Sequence, residues 1–138
     1  MLTMTKVYSV RVIDGDTVEA MIEVWEGTYI KSSIRILGTD APEIKTNAGK
    51  LVKRMVEQWI VGNSIRIEYH EKDKYSGRFL GDILKGPERL SEYLLSSKYA
   101  RPYQGGLRQK WSDQELLDIE SKVPMTSTPS TELIYIGN

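Results

Sequence analysis

The sequence predicts a single α+β domain dominated by β structure, and three observations carry that expectation. From Tyr8 to Ile36, apolar and polar residues alternate with the period of a half-buried strand. Two later segments, Ile65 to Tyr69 and Arg78 to Leu84, read the same way. Between the early and late strands, apolar residues recur at helical spacing. A length of 138 residues suits one compact domain able to bury a core without staples.

Taken in order, the first strand carries Tyr8, Val10 and Val12, and Asp14-Gly15 is a turn. The second carries Val18, Ala20, Ile22 and Val24, and Glu26-Gly27 turns the chain again. The third carries Ile30, Ser32, Ile34 and Ile36. This is an antiparallel meander with one buried face. A loop from Gly38 to Lys45 contains Pro42. The helix that follows opens at Thr46 or Asn47, buries Leu51, Val52, Met55, Val56, Trp59 and Ile60, and stops at Gly62. The fourth and fifth strands flank a charged loop, Glu71 to Gly77. Pro87 marks the first turn of a second helix with Leu90, Tyr93 and Leu94 on its apolar stripe. Arg101 to Lys110 is irregular, and Ser112 with Glu115 is spaced as a capping box for a third helix. The domain is expected over 1–122, with a Thr/Ser/Pro-rich tail over 123–138. The tail's apolar end, Leu133 to Ile136, either adds a strand or packs on a neighbouring chain. Three strands, a helix and two strands give the order of an OB-fold, a five-stranded Greek-key barrel, here with three helices.

Composition removes several chemistries. There is no cysteine, hence no disulfide, thiolate metal site or thiol nucleophile. A lone histidine, His70, leaves no zinc cluster and no Ser-His-Asp triad. Catalysis would rest on carboxylates, arginines, hydroxyls and a hard metal ion. The 19 basic and 19 acidic residues balance, which argues against tight non-specific nucleic-acid binding. The balance is uneven, however: 89–110 is net basic and the chain from Asp113 onward is net acidic. No apolar run approaches a membrane span. The opening MLTMTKVYSV has no basic stretch followed by an apolar one, so a cytoplasmic protein is expected, with a secreted mature form left open. No obligate protein partner is evident.

Three clusters remain. They are Asp14-Gly15-Asp16-Thr17, the run Arg35 to Glu43, and Asp73 to Arg78. Singly, each is explained by turn chemistry. Together, VIDGDTV, IRILGTDAPE, DKYSGR with FLGDI behind it, and KYARPYQGG resemble the staphylococcal-nuclease (thermonuclease) family in order, spacing and residue type. The resemblance runs from about Val10 to Trp111, and ARPYQGG with RQKW is similar to the short bacterial, plasmid and phage members. It implies a calcium (Ca2+)-dependent nuclease acting on DNA and possibly RNA. Asp16, Asp40 and the main-chain carbonyl of Ala41 would hold the ion. Glu43 would be general base, and Arg35 and Arg78 would hold the scissile phosphate. Asp14 and Thr17 would support the metal site, and Tyr75 would lie along the nucleotide pocket. Cleavage would leave a 3′-phosphate and a 5′-hydroxyl.

The physics of this set is coherent. Hydrolysis builds negative charge on phosphate oxygens, which two guanidiniums and a divalent cation can meet. Calcium takes several oxygen ligands at loose geometry. Two departures stand out: Ala41 where the family has threonine, and Ser76 inserted before Gly77. Tyr99, Arg101 and Tyr103 interleave aromatic and basic character, either to stack on bases and touch phosphate or to anchor the irregular segment. Trp59 is expected in the core, and Trp25 is expected to pack rather than stack. The competing functions are a non-catalytic OB-fold nucleic-acid binding module and, with only the apolar end in its favour, a protein-interaction domain.

Overall fold

The computed structural model describes residues 2–4, 6–72, 78–123 and 133–136. A short strand, β1 (Leu2–Met4), precedes the expected meander of β2 (Val7–Asp14), β3 (Thr17–Trp25) and β4 (Thr28–Ile36). Val10 pairs with Ala20 and Val18 with Ile34, so Val10, Val12, Val18, Ala20, Ile22, Ile34 and Ile36 are buried together, whereas Tyr8, Val24 and Ile30 at the far end of the meander are exposed. After the turn at Gly38 comes a two-residue strand, β5 (Thr39–Asp40). It leads into α1 (Asn47–Ile60), whose N-cap is Thr46, accepting the Gly49 N–H at 2.9 Å. Val52, Val56, Trp59 and Ile60 are buried along one face of this helix, as the spacing predicts.

β6 (Arg66–Lys72) and β7 (Phe79–Lys85) follow as an antiparallel pair. Then comes a hairpin the sequence did not announce. β8 (Glu88–Arg89) folds back on β7 through Gly86-Pro87, with Gly86 at φ 59°. Pro87 therefore serves a turn, and α2 (Leu90–Ser96) begins three residues after it. Asp82 on β7 satisfies the start of α2 by accepting the Ser91 N–H at 3.0 Å. β9 (Arg101–Pro102) pairs with β5, and α3 (Asp113–Lys122) carries the expected Ser112/Glu115 capping box, with both bonds present. β10 (Ile134–Tyr135) pairs antiparallel with β2, so the apolar end adds a strand.

The main sheet runs β1-β6-β7-β4-β3-β2-β10, with β8 on β7. Its middle five strands stand in OB order. The β4–β7 pair is parallel, which requires the crossover supplied by α1 and β6. Among the described residues no ladder joins β1 to β10 to close the path into a ring. The core gathers the meander's inner face, the buried side of α1, Ile67, Ile83, Leu90 and Leu94. Trp25 departs from expectation. It ends β3 beside the hairpin turn, beyond the reach of the core, and is largely exposed. No described helix is long and apolar enough to cross a membrane.

Candidate active site

The site forms where the β2–β3 turn, the end of β4 and the β5 segment meet α1. Gly15 makes this meeting possible. A Cβ there would stand 2.6 Å from Val52 Cγ1 and 2.8 Å from the Ala41 Cβ, so only glycine lets the turn lie flat on both. Asp16 is thereby brought against the β5 loop, and its Oδ2 accepts the Ala41 N–H at 2.9 Å. Arg35, paired with Thr17 in the β3–β4 ladder, reaches the same carboxylate, Nη1 to Oδ2 2.9 Å. Its Nη2 donates to the Thr39 carbonyl at 2.9 Å. Asp16 is 3% exposed and Arg35 is 7% exposed, so this is a buried ion pair with its fork held from two sides.

Asp40 is 4% exposed and sits opposite Arg101 in the β5–β9 pair. Arg101 Nε lies 3.0 Å from its Oδ2. Arg108 takes the other oxygen, donating from Nε at 3.0 Å and also from Nη2. That Nη2 is also 3.5 Å from Asp16 Oδ2. Two carboxylates from distant parts of the chain thus converge on one cationic group. Tyr103 lies beside this cluster, its ring centre 5.8 Å from the Arg35 guanidinium and 5.9 Å from that of Arg108. Its hydroxyl donates to the Gly106 carbonyl at 2.7 Å.

Glu43 is placed by its backbone. Its carbonyl accepts from the Thr46 hydroxyl at 2.7 Å and the Thr46 N–H at 3.0 Å. Its side chain is 68% exposed and pairs with Lys45 at 3.1 Å. Glu43 lines two openings shared with Arg108 and Ala41: a cavity of about 530 Å³ reaching Lys110 and Trp111, and one of about 290 Å³ reaching Asp14 and Asp16. Burial pushes the Asp14 carboxyl up to about 7, and its hydrogen bond to Asp16 adds to this. Burial also opposes charge on Asp16, but Asp14, the Arg35 guanidinium and the Ala41 N–H outweigh it and hold that carboxyl below its usual range. The Thr17 hydroxyl donates to Asp16 Oδ1 at 3.2 Å.

Residues 33–123, more than half of the chain, match the family model of staphylococcal nuclease homologues. The chain belongs to that family. It is 35% identical over 74 residues to a protein of Escherichia coli O157:H7 named an uncharacterized endonuclease, covering 54% of this chain and 44% of that one. It is 34% identical over 70 residues to a probable staphylococcal-like nuclease of Oryza sativa subsp. japonica, covering 51% of this chain and 19% of that one. The chain therefore spans less than half the length of these curated relatives.

In this staphylococcal nuclease homologue, the structure brings together Asp14, Asp16, Thr17, Arg35, Asp40, Ala41, Arg101 and Tyr103, with Glu43 at the rim. Arg78 stands just ahead of β7, in the register that sets Leu80 beside Arg35. Tyr75 and Ser76 lie outside the described residues. Tyr99 is buried in the core, its ring 5.9 Å from that of Tyr93, and is not brought to the cluster. Arg108 was not singled out from the sequence. It enters there only as a member of a basic stretch and as the first residue of RQKW, with no role attached. Trp111, against whose ring Arg101 stacks at 4.4 Å, enters the sequence reading only as the last residue of RQKW.

Proposed function

We propose that this chain is a calcium-dependent nuclease that hydrolyses phosphodiester bonds of DNA, and possibly RNA, with little sequence preference. The observation that carries this reading is the convergence of buried Asp16 and Asp40 on one cationic position, with Arg35 locked beside it and Glu43 on the rim of the same openings. Oxygen donors of this kind suit a hard cation. Among the described residues no third carboxylate or imidazole completes a cage, so water and the Ala41 carbonyl would fill the remaining positions. A calcium ion held there would offset the charge that develops on the phosphate oxygens.

The chain's own residues do the rest. Two of the five N–H donors of Arg35 are spent on Asp16 and Thr39, which fixes the plane of its guanidinium. Its remaining donors, and Arg78 from the foot of β7, take the phosphate. Glu43 removes a proton from water; the hydroxide attacks phosphorus and the bond to the 5′ oxygen breaks. That oxygen takes a proton from solvent and leaves as a 5′-hydroxyl, Glu43 returns its proton to solvent, and the phosphate stays on the 3′ side. An exposed carboxylate at the rim meets water without crossing the buried cluster.

The test is cleavage of single-stranded and duplex DNA and of RNA, with calcium and then with excess chelator, on wild type and Glu43→Gln. Calcium-dependent cutting that the substitution removes is the expected result. Oligonucleotide binding without cutting under any divalent metal would replace this reading with a binding module. The arginines that already neutralise Asp16 and Asp40 give that alternative its one structural support.

A further inference from the structure

Three arginines meet two buried carboxylates, and they are not equivalent. Arg35 belongs to Asp16 and Arg101 to Asp40; Arg101 faces Asp40 across the β5–β9 ladder, and Arg35 is held in the β3–β4 ladder opposite Thr17, the neighbour of Asp16. Arg108 is the third, and it alone spans both carboxylates. It comes from a stretch, 103–112, with no helix or strand. Gly105 and Gly106 precede it at φ 96° and 85°, values that leave this stretch shaped by glycine rather than by ladder bonds. Its side chain is 49% exposed, whereas Arg35 is buried. Of the three cations bound to this site, Arg108 is therefore the one free to leave without unzipping a strand.

Its position is also the one a metal needs. Arg108 puts two N–H groups on Asp40 Oδ1 and aims one at Asp16 Oδ2. A divalent ion ligated by the same oxygens cannot coexist with that guanidinium, because the two would share space and repel as like charges. We propose that Arg108 is a built-in competitor of the metal, a positioning residue that holds the Asp16 and Asp40 carboxylates together and sets the calcium concentration at which the site loads. This rests on the nuclease reading above. When calcium enters, Arg108 swings into the cavity it already lines with Glu43, Lys45 and Lys110, adding a cation to the surface that faces a nucleic-acid strand.

The test needs no substrate. Calcium binding is measured by titration calorimetry on wild type, on Arg108→Gln, and on Lys110→Ala as a cation of the same cavity that touches neither carboxylate. Arg108→Gln is expected to bind calcium roughly 10- to 100-fold more tightly, the worth of hydrogen bonds between charged groups that no longer need breaking. Without calcium it is expected to melt below wild type, and to gain more from calcium. Lys110→Ala is expected to stay within about threefold of wild type, since an exposed charge contributes little. A purely structural role for Arg108 predicts the opposite sign, looser calcium in the variant. Unchanged or weaker affinity in Arg108→Gln, while wild type binds calcium and cuts DNA, overturns the competition alone. Failure of both proteins to bind calcium or cut overturns the nuclease reading with it. The Arg108 Nε resonance of wild type supplies a check that needs no variant. Calcium is expected to shift it from a hydrogen-bonded to a freely averaging position, and binding that leaves it unmoved overturns the proposal.

Discussion

At the scale of single residues, stability and chemistry are assigned to different side chains. Arg35 is the β4 side chain that pairs with the Asp16 carboxylate, and it also ties down the Thr39 carbonyl. Arg35→Ala leaves a buried carboxylate short of its nearest cation, a loss of about 3 kcal/mol in the range for broken buried pairs. Urea unfolding of the metal-free protein is expected to show this directly. Glu43, mostly exposed and bonded to the fold through its backbone, behaves differently. Glu43→Gln is expected to leave unfolding within about 0.5 kcal/mol of wild type, as surface substitutions usually do, while cutting is lost. If both substitutions destabilise equally, Glu43 is part of the scaffold rather than the reagent. Asp16, Arg35, Asp40 and Glu43 were picked out in the sequence by the joint resemblance of separated segments to the staphylococcal-nuclease family, since turn chemistry explains each segment singly. Arg108, although it opens RQKW, drew no assignment, since its contacts are with residues 68 and 92 positions earlier in the chain and local spacing carries no trace of them.

At the scale of elements, α1 does more than fill the core. Its first turn fixes the backbone of Glu43. A Cβ on Gly49 would lie 1.9 Å from the Glu43 carbonyl oxygen and 2.6 Å from its carbon, so helix and loop approach as closely as backbone allows. Thr46 caps the helix and holds the same carbonyl. In an ordinary helix Gly→Ala stabilises by about 1 kcal/mol. Here Gly49→Ala is expected to act the other way, lowering the melting temperature and cutting kcat by tenfold or more, because the Glu43 backbone has to move. Wild-type activity together with a raised melting temperature would show that the contact is slack. The helical period, the Thr46 cap and the capping box of α3 were all readable from local chemistry. Pro87 was misread for the same reason that it looked informative. Its fixed φ serves a hairpin turn as well as the first turn of a helix, and only the pairing of β8 back onto β7 chooses between them.

At the scale of the whole molecule, the meander and the two later strands were visible as alternation, β10 was one of two alternatives for the apolar end Leu133 to Ile136, and β1, β5, β8 and β9 were not visible. Each of these short strands is two or three residues long, too short to show a period, and each is held by pairing with another strand. One such short element supports a second buried charge cluster that links β6, β7 and β8. Glu68 on β6 accepts from Arg89 Nη1 at 2.9 Å and Nη2 at 3.3 Å, and lies 2.7 Å from His70 Nε2. These bonds, that to Arg89 foremost and that to His70 next, hold the Glu68 carboxyl below its usual 4.5. A carboxyl depressed in the folded state binds its proton more readily once unfolded. Its contribution is therefore complete above pH 4.5 and is lost as pH falls through the lower folded value. Glu68→Gln removes that contribution at every pH. Unfolding midpoints measured at pH 7 and again below pH 4 are expected to converge, with wild type well above the variant at neutral pH and the gap closing in acid. A gap of constant width would assign the effect to packing at this corner of the sheet instead of to the charge that joins its three strands.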